Sequence, residues 1–135
     1  MQIKRNSKAH SSASPADYSR FFQAYCPPDS CPAIMSRREK IEAMLAEDPG
    51  DTFLRYSLAM ELDKENNHDA SLTKFGELTR DDPPYVPAFF MAAQQLIRLG
   101  RTEQARSMLR DGIEAARTQG DAHAAGEMSE FLASL

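Results

Sequence analysis

The sequence has no tryptophan, only two cysteines and only six glycines among its 135 residues. Two cysteines cannot make the disulfide framework of a small secreted protein, so a reducing cytoplasm is the expected location. No run approaches the roughly 20 apolar residues that span a membrane. Sixteen basic residues against 20 acidic ones give a net charge of −4, which argues against a non-specific nucleic-acid binder. The composition predicts a soluble, cytoplasmic protein that binds neither nucleic acid nor membranes.

Residues 1–35 differ from the rest of the chain in charge and polarity. They hold four basic and two acidic residues, whereas residues 36–135 hold 12 basic and 18 acidic ones. The first 16 residues are polar and contain no acid, so they cannot bury enough apolar area to offset the entropy of ordering. We therefore expect a flexible N-terminal tail. An organelle transit peptide and a translation start at Met35 are alternatives that the sequence leaves open.

Four aromatic residues give this tail a short amphipathic segment. They follow the helical spacing i, i+3, i+4 and i+7 and are Tyr18, Phe21, Phe22 and Tyr25. This spacing predicts a helix over residues 15–25 with an aromatic stripe on one side. Because so short a helix is marginal by itself, the stripe needs a surface to cover it. Both the chain's own body and a partner protein would provide such a surface.

From Ser36 onward the sequence predicts helices only, and their pattern repeats at a fixed spacing. Proline and glycine interrupt the pattern at 49–50, 83–84 and 100, and no stretch alternates with a period of two. When the sequence is shifted against itself, Asn66 falls on Gly100 at a turn, where a left-handed backbone is expected. The same shift, of 34 residues, aligns apolar or small residues with one another and proline with proline, in the pairs Leu58 and Ala92, Ala59 and Ala93, Leu62 and Leu96, Ser71 and Ala105, Phe75 and Leu109, and Pro49 and Pro83.

This pattern resembles the tetratricopeptide repeat, a 34-residue helix–turn–helix unit. The resemblance implies an all-α superhelix of about two and a half repeats with a C-terminal capping helix. Its parts are a half-repeat at 36–51, repeats at 52–85 and 86–119, and a cap at 121–135. Arg55 departs from the family pattern, which has a large apolar residue there. The helices are predicted near 36–47, 52–65, 68–81, 85–98, 102–117 and 121–134, and the composition is similar to that of small bacterial repeat proteins.

Residue types that carry catalysis or bind metals are present but scattered. The histidines lie far apart, and His68 and His123 are expected at the surface; the acidic pair at 81–82 is expected to be a solvated corner. No glycine-rich phosphate loop or metalloprotease motif occurs. Cys26 and Cys31 could form a local disulfide or half a zinc site, but a closed zinc site needs four ligands, so free thiols are favoured. We expect no enzymatic activity, no metal and no cofactor.

The resemblance also implies a working surface, because the first helix of each tetratricopeptide unit lines a concave groove. The groove residues predicted in this way are Phe53, Tyr56, Met60, Lys64, Phe90, Met91, Gln94 and Arg98. Aromatic and methionine side chains would bury apolar area of a ligand. Lys64 and Arg98 would pair with a carboxylate at an acidic end of that ligand.

These residues predict a non-catalytic adaptor or scaffold that binds a peptide or helix of another protein in its concave groove. Two alternatives remain open. The helix at 15–25 could cover the same groove, since its aromatic stripe has the right chemistry. The chain could also be a structural protein that self-associates into a homodimer through its repeat surface.

Overall fold

A computed structural model describes residues 34–135, and within this range the regular secondary structure is entirely helical. Every helix begins and ends at or very near its predicted bounds, which confirms the all-α fold class. Residues 1–33 of the tail, which include the helix predicted at 15–25, Cys26 and Cys31, lie outside the described residues. The helices are α1 (Arg37–Glu47), α2 (Thr52–Lys64), α3 (His68–Thr79), α4 (Val86–Arg98), α5 (Thr102–Thr118) and α6 (Ala122–Ala133).

Polar side chains fix where three of the helices begin. The Ser36 hydroxyl accepts a hydrogen bond from the backbone N–H of Glu39 at 3.2 Å. The Glu39 carboxylate accepts one in return from the backbone N–H of Ser36 at 2.6 Å, so α1 starts with a capping box. Asp51 and Asp121 cap α2 and α6 by accepting from the amide three residues later, at 2.8 and 3.0 Å. These bonds satisfy amides that have no partner inside the helix.

Three turns end their helices in the same way. Asn66, Gly100 and Gly120 have left-handed backbones with φ of 62°, 75° and 77°. The residue after each donates its N–H to the carbonyl five positions earlier, at 2.9, 2.8 and 2.8 Å respectively. This is the bond of a Schellman C-cap, and it needs a residue that tolerates positive φ. The turns predicted at Asn66 and Gly100 are confirmed.

Successive helices pack on one another, and α6 also contacts α4. Their buried side chains form three clusters. The C-terminal cluster comprises Val86, Phe89, Ala93, Leu96, Ala105, Leu109, Ile113, Ala116, Ala125 and Met128. The central cluster comprises Ala59, Phe75, Leu78, Ala88 and Ala92. The N-terminal cluster comprises Ile41, Leu58 and Leu62. The aligned apolar positions named above therefore face the core, whereas Met44, which the same shift aligns with Leu78 and predicts as a core residue, is 52% exposed.

Arg55 replaces an apolar residue of the repeat pattern, and an ion pair explains how it is accommodated. Its Nη1 and Nη2 atoms donate to the two carboxylate oxygens of Asp81 at 2.6 and 3.3 Å. The side chains of Arg55 and Asp81 are only 22% and 32% exposed. Asp81 thus differs from the predicted solvated corner, because it ties α2 to the segment after α3. Its neighbour Asp82 is exposed, as predicted.

Candidate peptide-binding site

A depression of about 170 Å³ opens between α2, α4 and α6. Since a cavity of about 150 Å³ holds a benzene ring, the depression has room for one large side chain. Its apolar walls include Tyr56, Phe90, Met91, Ala124 and Met128. Its charged lining residues are Asp121 and Glu127. Three helices that are far apart in sequence therefore converge on one small apolar hollow with acidic residues in its wall.

Tyr56 forms the α2 side of the depression and is held by two other aromatic rings. Its ring packs edge-on against Phe75 and Tyr85, with centroids 5.8 and 5.4 Å away. Such edge-to-face contacts are a favoured aromatic geometry. Burial, together with the neighbouring Tyr85, raises the pKa of Tyr56 above its ordinary value. The phenol therefore stays neutral at physiological pH, and the ring is a fixed wall.

Phe90 on α4 is held in the same manner by Phe131 on α6, with ring centroids 5.6 Å apart. Phe131 is not among the predicted groove residues. The repeat register places Phe131 on Ile97, and it places Ala124 on Phe90. Continuing that register into α6 would have identified both residues. The small Ala124, at a position where α4 has a phenylalanine, leaves the space that becomes the depression.

The predicted groove residues do not all meet at this depression. Tyr56, Phe90 and Met91 line it. Met60 packs half-buried against the central cluster. Phe53 lies outside the depression and is 68% exposed, and Gln94 is half-buried outside it. Which of these residues contact a ligand stays a prediction.

Lys64 and Arg98, the predicted groove cations, already pair with carboxylates of the same chain. Lys64 Nζ donates to Glu61 Oε1 at 2.8 Å, and Arg98 Nη2 donates to Asp63 Oδ2. The side chains of Lys64 and Arg98 are 58% and 60% exposed, whereas those of Glu61 and Asp63 are only 12% and 11% exposed. A ligand carboxylate would have to compete with these intramolecular partners.

Asp63 is the centre of a polar network that joins α2, α3 and α4. Its Oδ1 atom accepts a hydrogen bond from Gln95 Nε2 at 2.8 Å and lies 2.9 Å from His68 Nδ1. Burial by itself would raise the pKa of Asp63, but the hydrogen bonds of Arg98 and His68 outweigh it and lower the pKa. The carboxylate is therefore charged at neutral pH and binds the three helices together.

The network extends inward through Gln95, which is 1% exposed. Ser71 Oγ lies 3.2 Å from Gln95 Oε1 and donates to the carbonyl of Ala59 at 2.7 Å. His68 lies at the edge of this network with a side chain that is 32% exposed, so it reaches the surface as predicted but is half-buried there. His123, with a side chain that is 87% exposed, confirms the same prediction for α6.

Among residues 34–135, no three His, Cys, Asp or Glu side chains come together as metal ligands would. None of the helices there is long and apolar enough to cross a membrane.

Solved structures of two bacterial proteins are similar to this chain. One is a tetratricopeptide repeat domain protein from Salinibacter ruber, with 36% identity and a TM-score of 0.60 over 64% of this chain and 88% of its own. The chain belongs to the tetratricopeptide repeat family. A Bordetella parapertussis protein is 28% identical to this tetratricopeptide repeat protein, with a TM-score of 0.63 over 75% of this chain and 88% of its own. No protein-family model and no curated protein matches the sequence.

Proposed function

We propose that this tetratricopeptide repeat protein is a non-catalytic, cytoplasmic adaptor that binds a segment of another protein, peptide or helix, in the depression between α2, α4 and α6. The observation that supports the proposal is the opening of Tyr56, Phe90 and Met91 toward solvent at one place. Grouped aromatic and methionine side chains on a surface are typical of protein-binding sites.

The walls of the depression are held before any partner arrives. Tyr56 is fixed by Phe75 and Tyr85, and Phe90 by Phe131. Because these side chains have little freedom left to lose, binding costs less ordering entropy on this side of the interface. The remaining loss of conformational entropy on binding comes from the partner segment.

The depression alone cannot supply a useful affinity. Burying one large apolar side chain contributes about 1.5–3 kcal/mol, whereas a micromolar dissociation constant corresponds to about 8 kcal/mol. The partner must therefore contact more of this face than the depression itself. Gln94 on α4 and the exposed ring of Phe53 on α2 belong to the predicted groove and would extend the contact.

Filling the depression tests the proposal more cleanly than truncating its walls, since Tyr56 and Phe90 also pack against their own neighbours. Ala124→Phe places a ring in the open space. Ala133→Phe, an exposed position on the same helix, is the matched control. Proteins that the full chain captures from a lysate of its source organism should be lost with Ala124→Phe and kept with Ala133→Phe. Equal capture by both variants, with unchanged melting temperatures, would contradict the proposal.

Self-association is the second candidate function, and exposed apolar side chains near α1 favour it. Phe53 is 68% exposed and Met44 is 52% exposed, and neither lines the depression. A homodimer that buries them would show twice the monomer mass in light scattering, and Phe53→Ser should return it to a monomer. A monomer at high protein concentration would eliminate this alternative.

A further inference from the structure

We propose that the partner segment is cationic, with one large apolar side chain that enters the depression and Lys or Arg residues within about one helical turn of it. This inference rests on the proposed function and specifies the chemistry of the ligand. It follows from the charges that surround the apolar walls.

The ionised residues that line the depression are both acidic. Glu127 has a side chain that is 58% exposed, and its ion-pair contact is to His123, itself 87% exposed, at 3.3 Å. Asp121 caps α6 through a single hydrogen bond to a backbone amide. Each carboxylate keeps oxygen lone pairs with which it can accept further hydrogen bonds from a ligand.

A second hollow adjoins the depression and continues its acidic character. It has a volume of about 650 Å³ and shares Val86, Pro87 and Asp121 with the depression. Its other charged lining residues are Arg55, Asp81 and Asp82. Because Arg55 is bound to Asp81 through both carboxylate oxygens, these two charges offset each other, and Asp82 and Asp121 give this hollow its net negative charge.

Together the two hollows carry four carboxylates and one guanidinium. An acidic segment would meet like charges along this route, which disfavours it as a partner. The cations expected for an acidic ligand, Lys64 and Arg98, lie outside both linings and are paired with Glu61 and Asp63. A segment with an apolar anchor and flanking Lys or Arg therefore matches both the shape and the charge of this surface.

A peptide library displayed on phage, with random segments a few helical turns long, provides a probe that presumes no partner. The library is selected on the full chain in 50 mM NaCl, and peptides that also bind Ala124→Phe are removed. The remaining peptides should be enriched in Leu, Ile, Met or Phe with Lys or Arg nearby. Raising NaCl to 500 mM should weaken their binding, since salt screens exposed charges.

Reversing the charges tests the electrostatic part directly. Asp82→Lys combined with Glu127→Lys should lower the affinity for the selected peptides about tenfold, because the introduced lysines repel the cationic side chains that the two carboxylates attract. Asp111→Lys combined with Glu114→Lys changes the net charge equally at exposed positions of α5 and should leave binding unchanged. If the lysine variant fails to fold, Asp82→Asn combined with Glu127→Gln should still weaken binding a few-fold.

The outcomes separate this inference from the proposed function. Peptides that depend on the depression but are neutral or acidic would overturn the cationic partner and leave the binding site intact. Unchanged affinity in the folded charge variants would do the same. If every enriched peptide also binds Ala124→Phe, or none is enriched, both proposals fail.

Discussion

Helices α4 to α6 and helices α1 and α2 bury very different amounts of apolar surface. The C-terminal cluster holds ten buried residues, of which Ala93, Ala105, Leu109 and Ala116 have no exposed surface. The N-terminal cluster holds three, and α1 contributes only Ile41 to it. Each fully buried large apolar side chain contributes about 1.5–3 kcal/mol. Most of the stability that comes from apolar burial must therefore lie at the C-terminal end.

Charged groups replace part of this burial at the N-terminal end. Arg37 Nε lies 3.3 Å from Glu61 Oε1, and Arg38 Nη1 lies 2.7 Å from Glu65 Oε2. Ion pairs near the surface typically contribute about 0–1 kcal/mol each, so α1 should open locally before the rest unfolds. Two of the three helices that form the proposed peptide site, α4 and α6, belong to the well-packed end, where Phe90 is held by Phe131. A rigid wall at that end keeps the cost of binding low.

The largest expected effect comes from a cavity in the C-terminal cluster. Leu109→Ala removes a side chain with no exposed surface and should lower the free energy of unfolding by about 2–5 kcal/mol. Ile41→Ala should instead mainly speed hydrogen exchange of the α1 amides. Urea unfolding and amide exchange measure the two effects, with Met44→Ala as an exposed control. If Ile41→Ala lowered the free energy of unfolding more than Leu109→Ala, the N-terminal end would be the more important one for stability, contrary to this comparison.

Replacing glycine with alanine should change the stability of the fold in opposite directions at Gly112 and Gly126. A Cβ atom at Gly112 would lie 2.6 Å from Phe89 Cβ and 2.7 Å from Met128 Sδ, whereas at Gly126 it would meet nothing within 4 Å. Gly112→Ala should therefore destabilise the fold by about 1–3 kcal/mol through overpacking. Gly126→Ala should stabilise it by about 0.5–1 kcal/mol, because alanine is the better helix former. Thermal melting of both variants compares the effects, and a gain at Gly112 would show that α5 can shift.

The contrast between these glycines also shows what the sequence can predict. Gly112 occupies a position at which the tetratricopeptide pattern has a small residue, although the preceding repeat has Leu78 there, so its close approach to neighbouring helices is expected from the family pattern. The turns at Asn66 and Gly100 follow from the repeat register, because only a few residue types tolerate positive φ. Local chemistry and periodicity are thus sufficient to predict the helices and their order along the chain.

The polar network and the ion pairs of the predicted groove cations could not be predicted in this way. Asp63, His68 and Gln95 meet through the packing of three helices, and no local pattern specifies which polar side chains will pair. The register selected Tyr56, Phe90 and Met91 because it identifies a helix face. It could not show that Arg98 would turn back to Asp63, since ion pairing depends on side-chain conformations. The repeat pattern predicts α6 only as a cap, so the predicted groove does not include Ala124 and Phe131.

Disrupting the polar network around Asp63 should lower the stability of the fold by an intermediate amount. Asp63→Ala removes hydrogen bonds to Arg98, Gln95 and His68, and it should cost about 1–3 kcal/mol. The folded pKa of Asp63 is lowered, so its contribution is complete at neutral pH and is lost as the pH falls below the ordinary value of about 3.9. Asp63→Asn should therefore lose less stability than the wild-type protein between pH 6 and pH 3.

Urea unfolding at the two pH values measures this difference. Asp111→Asn, at an exposed position of α5, is the control and should keep the pH dependence of the wild-type protein. An identical loss for Asp63→Asn and the wild type would mean that the network does not stabilise α2 against α4.

The smallest effect concerns the ion pairs of α1. Raising NaCl from 50 to 500 mM should speed hydrogen exchange of the α1 amides by a few-fold, because screening weakens exposed pairs. The α5 amides should change little, since the residues that α5 contributes to the C-terminal cluster are apolar. Arg38→Glu should produce a similar local opening, and adding Glu65→Arg should restore part of the protection. If α1 exchanges at the same rate in all these conditions, then the apolar contacts of Ile41 and the half-buried Leu45 hold it to α2. The two ends of the stack would then differ only in the amount of apolar surface that they bury.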